Sequence, residues 1–157
     1  AFIESFLVAH EQFAWREIPK GGAATGADNY VSQWSASVAP LGLTSVPMSR
    51  AEMDATIAQI YETGLLAASD DTLSVVEFIK NPPLPTLAIP IYRLLFDAAV
   101  LSLKPEFRKL LGLKSKPAWI IRPLTRWTLR LMRLAIGPES PIEDGAIARL
   151  RRIGAWA

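Results

Sequence analysis

The stretch from Asn81 to Leu113, NPPLPTLAIPIYRLLFDAAVLSLKPEFRKLLGL, constrains the fold more than any other. Pro82, Pro83 and Pro85 cluster at its start, where neither a helix interior nor a central strand tolerates them. The chain then runs apolar from Leu87 to Leu103, interrupted by Arg93 and Asp97. Those two lie four residues apart, on one helical face, where opposite charges pair. They read as a surface pair at the edge of a core; the functional alternative is a buried pair that orients a ligand or cofactor carboxylate. A helix that is apolar nearly all round is a buried helix. Ile91, Leu94, Leu95, Ala98 and Leu101 are therefore expected in the core.

The 157 residues suffice for one domain with a sizeable core. Half of them are hydrophobic, with a mean hydropathy of +0.22. That is high for a soluble domain, and it points to a chain buried in a larger protein or working near lipid. The absence of cysteine excludes disulfides and thiolate metal sites. With His10 the only histidine, a multi-histidine metal site is excluded too. The chain begins at Ala1 with a helical pattern already in phase, which leads us to expect a fragment.

Charge is divided along the chain. Residues 1–103 hold 5 basic and 11 acidic side chains, while residues 104–157 hold 12 and 4. A basic half of this kind suits an acidic partner, an anionic membrane or a nucleic acid, or else docks on the acidic half of its own chain.

In chain order, Phe2, Phe6, Ala9 and Phe13 recur at helical spacing over residues 1–16, with Ile3, Leu7 and His10 on the adjoining line. His10 is read as a satisfied or half-exposed side chain rather than a metal or haem ligand. Residues 18–26 form a loop, and its Gly21-Gly22 pair lacks the Lys-Ser/Thr of a phosphate loop. A second helix carries Tyr30, Val31, Trp34 and Val38. Ser49 and Glu52 form a capping box for a third. Asp70 and Asp71 suit the start of a fourth, as helix caps rather than a metal or acid/base pair. Lys104-Pro105 opens a short helix closed by Gly112. In the next, Arg122, Arg126, Arg130 and Arg133 form one stripe, and Leu124, Trp127, Leu131, Leu134 and Ala135 form another. Such a helix is either a solvated face or a surface for anionic membranes, with Trp127 and Leu131 facing inward or into the interface. Ser140 to Glu143 reads as a second capping box before a last helix. No strand, repeat or transmembrane run is evident. The predicted class is all-α, about seven helices in a single domain over residues 1–157.

The order of these marks resembles a known family. Glu4-Ser5-Phe6-Leu7, then Ala27-Asp28-Asn29-Tyr30, Leu41-Gly42, Pro47, Ser49-Arg50-Ala51-Glu52, Pro82-Pro83-Leu84-Pro85, Leu103, Pro105, Arg108 and Leu111-Gly112-Leu113 are similar in order and spacing to the MpaB and latex-clearing-protein (rubber oxygenase) family. The resemblance covers residues 1 to about 136. It implies a globin-like, all-helical domain holding haem b, with oxygenase or oxidoreductase activity on a hydrophobic small molecule or a polyisoprenoid-like substrate. It also implies that this chain is the C-terminal half of the catalytic domain. The family's axial histidine aligns about two residues before Ala1, and its distal polar residues lie upstream as well. No catalytic residue is therefore carried onto this chain. His10, which stands where the family more often has an aromatic, is the one weak candidate for haem.

Two other classes stay open on the residues alone. One is a peripheral lipid-binding module without catalysis, resting on Arg122, Arg126, Arg130 and Arg133. The other is a nucleic-acid binder, disfavoured because aromatics do not interleave with the basic residues as single-strand binding requires. The compartment is left open between cytoplasm and a membrane surface.

Overall fold

The computed structural model describes residues 2–38, 41–43, 45–64, 66–137 and 141–154. Among them are eight α-helices and no strand: α1 (Phe2–Phe13), α2 (Gly26–Val38), α3 (Arg50–Glu62), α4 (Asp70–Lys80), α5 (Ile89–Ser102), α6 (Pro105–Leu110), α7 (Ala118–Ile136) and α8 (Pro141–Arg152). The all-α class is as expected, with one helix more than the predicted number.

Two small apolar clusters hold the helices. Leu7 of α1, Val31 of α2 and Met53 of α3 form the first, with Ile57 against it. Phe13 of α1, Ala98 of α5 and Ile121 of α7 form the second, with Leu94 and Leu101 against it. Helix α1 thus belongs to both. Its buried line runs through Leu7 and Phe13, whereas Phe6, expected on the apolar stripe, is 58% exposed. Helix α5 packs on α1 and most extensively on α7. Ala98 and Val100 are its buried residues; Leu94, Leu95 and Leu101 are half-buried, and Ile91, expected in the core, is exposed. Leu87, just before the helix, is 92% exposed. The apolar character of this stretch therefore exceeds what the chain itself covers.

Local signals act largely as their chemistry dictates. Ser49 Oγ accepts from the Glu52 amide at 3.2 Å, as a capping box requires. The returning bond is displaced by one residue: Glu52 Oε2 accepts from Met48 N, at 2.7 Å. At α4 the expectation of Asp70 and Asp71 as caps is corrected: the cap is Ser69, whose Oγ accepts from Thr72 N, and the two aspartates follow it in the first turn, where their charge suits the helix start. Gly137, at φ +95°, ends α7 in a conformation that disfavours a side chain. Ser140, the first residue of the capping box expected before α8, lies outside the described residues. Helix α4 buries no residue, and Leu73 and Phe78 are exposed on it. The Tyr92 hydroxyl, donating to the Ile79 carbonyl, ties its end to α5.

Candidate functional site

Two groups of charged side chains flank α1, and they differ in how their charges are matched. The first joins α1 to α3 and to the residue before α6. Arg50 Nη1 lies 2.9 Å from both carboxylate oxygens of Glu11, and Arg50 Nε donates to Asp54 Oδ2 at 2.9 Å. Lys104 Nζ sits 3.1 Å from Asp54 Oδ1 and 3.0 Å from Glu4 Oε1. The Glu4 contact is ionic rather than a well-directed hydrogen bond, since Oε1 is buried without a hydrogen-bond partner. Asp28 closes the set by accepting the Arg50 amide at 2.8 Å.

The titration behaviour of this chain of charges follows from its geometry. Burial by itself raises Asp54, but hydrogen bonds from Arg50 and Lys104 more than offset it and hold the carboxyl below its ordinary value of 3.8. Burial likewise lowers Lys104, and Glu4 and Asp54 more than reverse it, so the ammonium titrates above 10.5. The Arg50 guanidinium is raised in the same way, burial being outweighed by Glu11 and Asp54. The Asp28 carboxyl is lowered by the Thr25 hydroxyl first and the Arg50 amide second. Asp28, Ser49, Arg50, Glu52 and Glu4 are among the residues that carry the family resemblance. Here Asp28, Arg50 and Glu4 fasten elements to one another, while Ser49 and Glu52 cap the start of α3. Asp54, Glu11 and Lys104 complete the set. Sequence reasoning missed Glu11 and Lys104 because their partners lie 39 or more residues away; Asp54 lies four residues from Arg50, and that helical spacing is the signal that could have found it.

The second group lies where the end of α1 and the loop after it meet α7. Trp15 Nε1 donates to the Arg126 carbonyl at 3.2 Å, and Arg126 Nε donates to the Gln12 carbonyl at 3.0 Å. The Trp15 and Trp127 rings meet edge to face with centroids 5.7 Å apart. The Arg130 guanidinium lies over both, 5.2 Å from the Trp15 centroid and 5.5 Å from that of Trp127. Such cation–π contacts hold the cation without neutralising it. Beside them runs an open groove of about 850 Å³, lined by Phe13, Leu129 and Leu134 and by Arg16, Arg130 and Arg133. His10 lies at its edge. It also lines an adjoining hollow of about 460 Å³ with Arg126.

Three expectations are corrected here. Asp97 pairs with Lys116, at 2.7 Å, and not with Arg93; the long ammonium reaches back from the loop before α7. Trp127 and Leu131 do not face inward. The buried residues of α7 are Ile121 and Thr125, so the leucine and tryptophan line points to solvent. The four arginines share one flank of the helix as expected, but Arg126 is half-buried and fastened to α1 while Arg122, Arg130 and Arg133 are exposed.

The haem expected from the resemblance is tested against these residues. A haem iron needs an axial donor fixed by the protein, in a pocket whose access and polarity are controlled. His10 is exposed, and Arg16, Arg130 and Arg133 line the same groove. Among the described residues no group of three or more His, Cys, Asp or Glu is placed to hold a metal ion. An exposed side chain on an open groove is not the fixed axial donor that a haem iron needs, so His10 as placed does not fit the axial side of a haem. None of the helices in the described residues is long and apolar enough to cross a membrane.

A family model described as ER-bound oxygenase mpaB/B'/Rubber oxygenase, catalytic domain, matches residues 1–135. No curated protein and no solved structure matches the chain.

Proposed function

Since this chain belongs to the mpaB/rubber oxygenase catalytic-domain family, we propose that it forms part of a haem b-dependent oxygenase or oxidoreductase acting on a hydrophobic substrate, polyisoprenoid-like compounds among the candidates. The match over residues 1–135 is the observation that carries this reading. The exposed apolar side chains support it. Phe6, Phe78, Leu87 and Leu134 face outward in a chain whose clusters are small, and apolar surface on this scale marks binding or association rather than solvent contact.

In this reading the 157 residues are the C-terminal half of the catalytic domain. They supply apolar walls and helix scaffolding, and the axial donor comes from another segment. A bound haem would supply the oxygen and electron chemistry. This chain's residues would shape access, exclude water and fix the neighbouring helices. The paired charges of Glu4, Glu11, Arg50, Asp54 and Lys104 hold α1 in place, and α1 is the helix nearest the histidine expected two residues before Ala1.

The test is an absorption spectrum. A chain extended upstream through that histidine should bind haem and show a Soret band. The 157-residue chain alone should retain haem far more weakly. His10→Ala in the extended chain should leave the Soret position and haem retention near those of the unsubstituted protein. Loss of the band on that change makes His10 the ligand; no haem in the extended chain removes the oxygenase reading.

A further inference from the structure

We propose that the outward face of α7 and the groove beside it form a docking surface for an anionic phospholipid bilayer. The proposal stands on α7 and its neighbours and does not depend on haem or on oxygenase activity.

The first observation is an apolar ridge. Ile120, Leu124, Trp127, Leu131 and Leu134 follow one another at spacings of four, three, four and three, which places them on one line of the helix. All five are exposed, rising to 72% at Leu134. With a rise of 1.5 Å per residue, the ridge is about 20 Å long. It is convex, because the helix is anchored to the rest of the chain from its opposite side through Ile121 and Thr125.

The second observation is the charge beside that ridge. Arg16, Arg130 and Arg133 line the groove, and none of them takes part in an ion pair among the described residues. Among the described residues no acidic side chain lines the groove either. Arg130 is kept at the boundary between cations and ridge by the Trp15 and Trp127 rings. Trp119, 78% exposed, stands on the arginine flank. Indole rings and guanidinium groups side by side, next to aliphatic side chains, match the three layers of a bilayer surface: phosphates, interface and acyl chains.

Other occupants fit less well. A second copy of this face would set Arg130 and Arg133 against their own counterparts, and like charges repel. A nucleic acid would neutralise the arginines and leave the ridge in water. An acidic protein partner remains an outcome of the test. The sequence showed both stripes but not which one the fold covers.

The experiment is co-sedimentation of the full chain with phosphatidylcholine vesicles, with and without phosphatidylserine. Binding is expected to the anionic vesicles, and to weaken as salt rises. Arg130→Glu with Arg133→Glu should lower that binding at least about tenfold, each arginine near the surface contributing on the order of 1 kcal/mol. Leu131→Ser with Leu134→Ser, also at exposed positions, should lower it about as much while leaving the helical circular dichroism unchanged. Equal binding to both kinds of vesicle overturns the proposal. So does unchanged binding in both variants. Absence of vesicle binding also overturns it, whether the chain stays single or associates through the ridge with itself or an acidic protein.

Discussion

Helix α1 has a matched side and an unmatched side. Toward α3, each cation meets carboxylates: Arg50 has Glu11 and Asp54, and Lys104 has Glu4 and Asp54. Toward α7, Arg126 is spent on the Gln12 carbonyl, Arg130 rests on two indoles, and Arg16 and Arg133 have no acidic partner among the described residues. The apolar side chains divide less sharply, since Phe13 and Ile121 are covered on the α7 side as well. Leu7, Val31 and Met53 are covered on the first side, and Leu131 and Leu134 are bare on the second. Matched charge over covered carbon fastens a fold, and unmatched charge beside bare carbon is left for something else to meet.

The sharpest way to break this comparison is in the core. Leu7 is fully buried, and Leu7→Ala should cost about 2–5 kcal/mol in a urea melt. Leu131→Ala, on the bare side, should change stability by less than about 0.5 kcal/mol. Similar losses at both sites would show that the ridge is covered in solution.

The next effect concerns a buried polar atom on the inner side of α7. Thr125 is 1% exposed and its Oγ1 has no hydrogen-bond partner. An unmade bond at a buried hydroxyl is unfavourable, so Thr125→Val, with the same shape, should raise stability by about 1 kcal/mol. A loss on that change would mean that the hydroxyl is bonded in solution, for instance by a trapped water.

The charges come next. Arg50→Leu should cost about 1 kcal/mol at low salt and less at high salt, because the pairs are half-exposed. Arg133→Leu should leave the melt unchanged, since Arg133 has no ion pair among the described residues. Acid should show the same asymmetry. Asp54 titrates below its unfolded value of 3.8 in the fold, so its contribution is present above that pH and is lost as pH falls through the lower folded value. Lys104 is raised above 10.5, so its contribution is present below that pH and is lost as pH rises through the folded value. Chemical melts across pH should therefore lose stability below about pH 4 and above about pH 10.5, and Asp54→Asn should flatten the acid limb.

Much of the architecture was legible because it is local. Ser49 caps α3 through a bond three residues away, and Pro105, Gly112 and Gly137 mark ends that follow from backbone chemistry. The family, too, was legible from the order of such marks, and the model match over residues 1–135 agrees. The faces were less so. Phe6 and Ile91 fall on apolar lines and yet are exposed, while Leu7, on the adjoining line, is fully buried. Periodicity tells which residues share a face, but on a helix with apolar residues on two sides it does not tell which side finds a partner. The pairing of Asp97 with Lys116 rather than Arg93 has a similar origin, since a spacing of four offers one partner and the fold brings another within 2.7 Å.

The sequence by itself determined the helices, their caps and breaks, the division of charge between the two parts of the chain, and the two stripes of α7. Each depends on contacts within a turn or two of backbone. Only the tertiary structure decided that Lys104 reaches Glu4 and Asp54, that Trp15 and Trp127 share one guanidinium, and that α7 turns Ile121 and Thr125 inward while Leu131 and Leu134 remain outside. Those outcomes depend on which helices meet. Burial free energy rewards covered apolar area without regard to which of two apolar faces supplies it, so the choice between faces falls to the shape and charge of the neighbours.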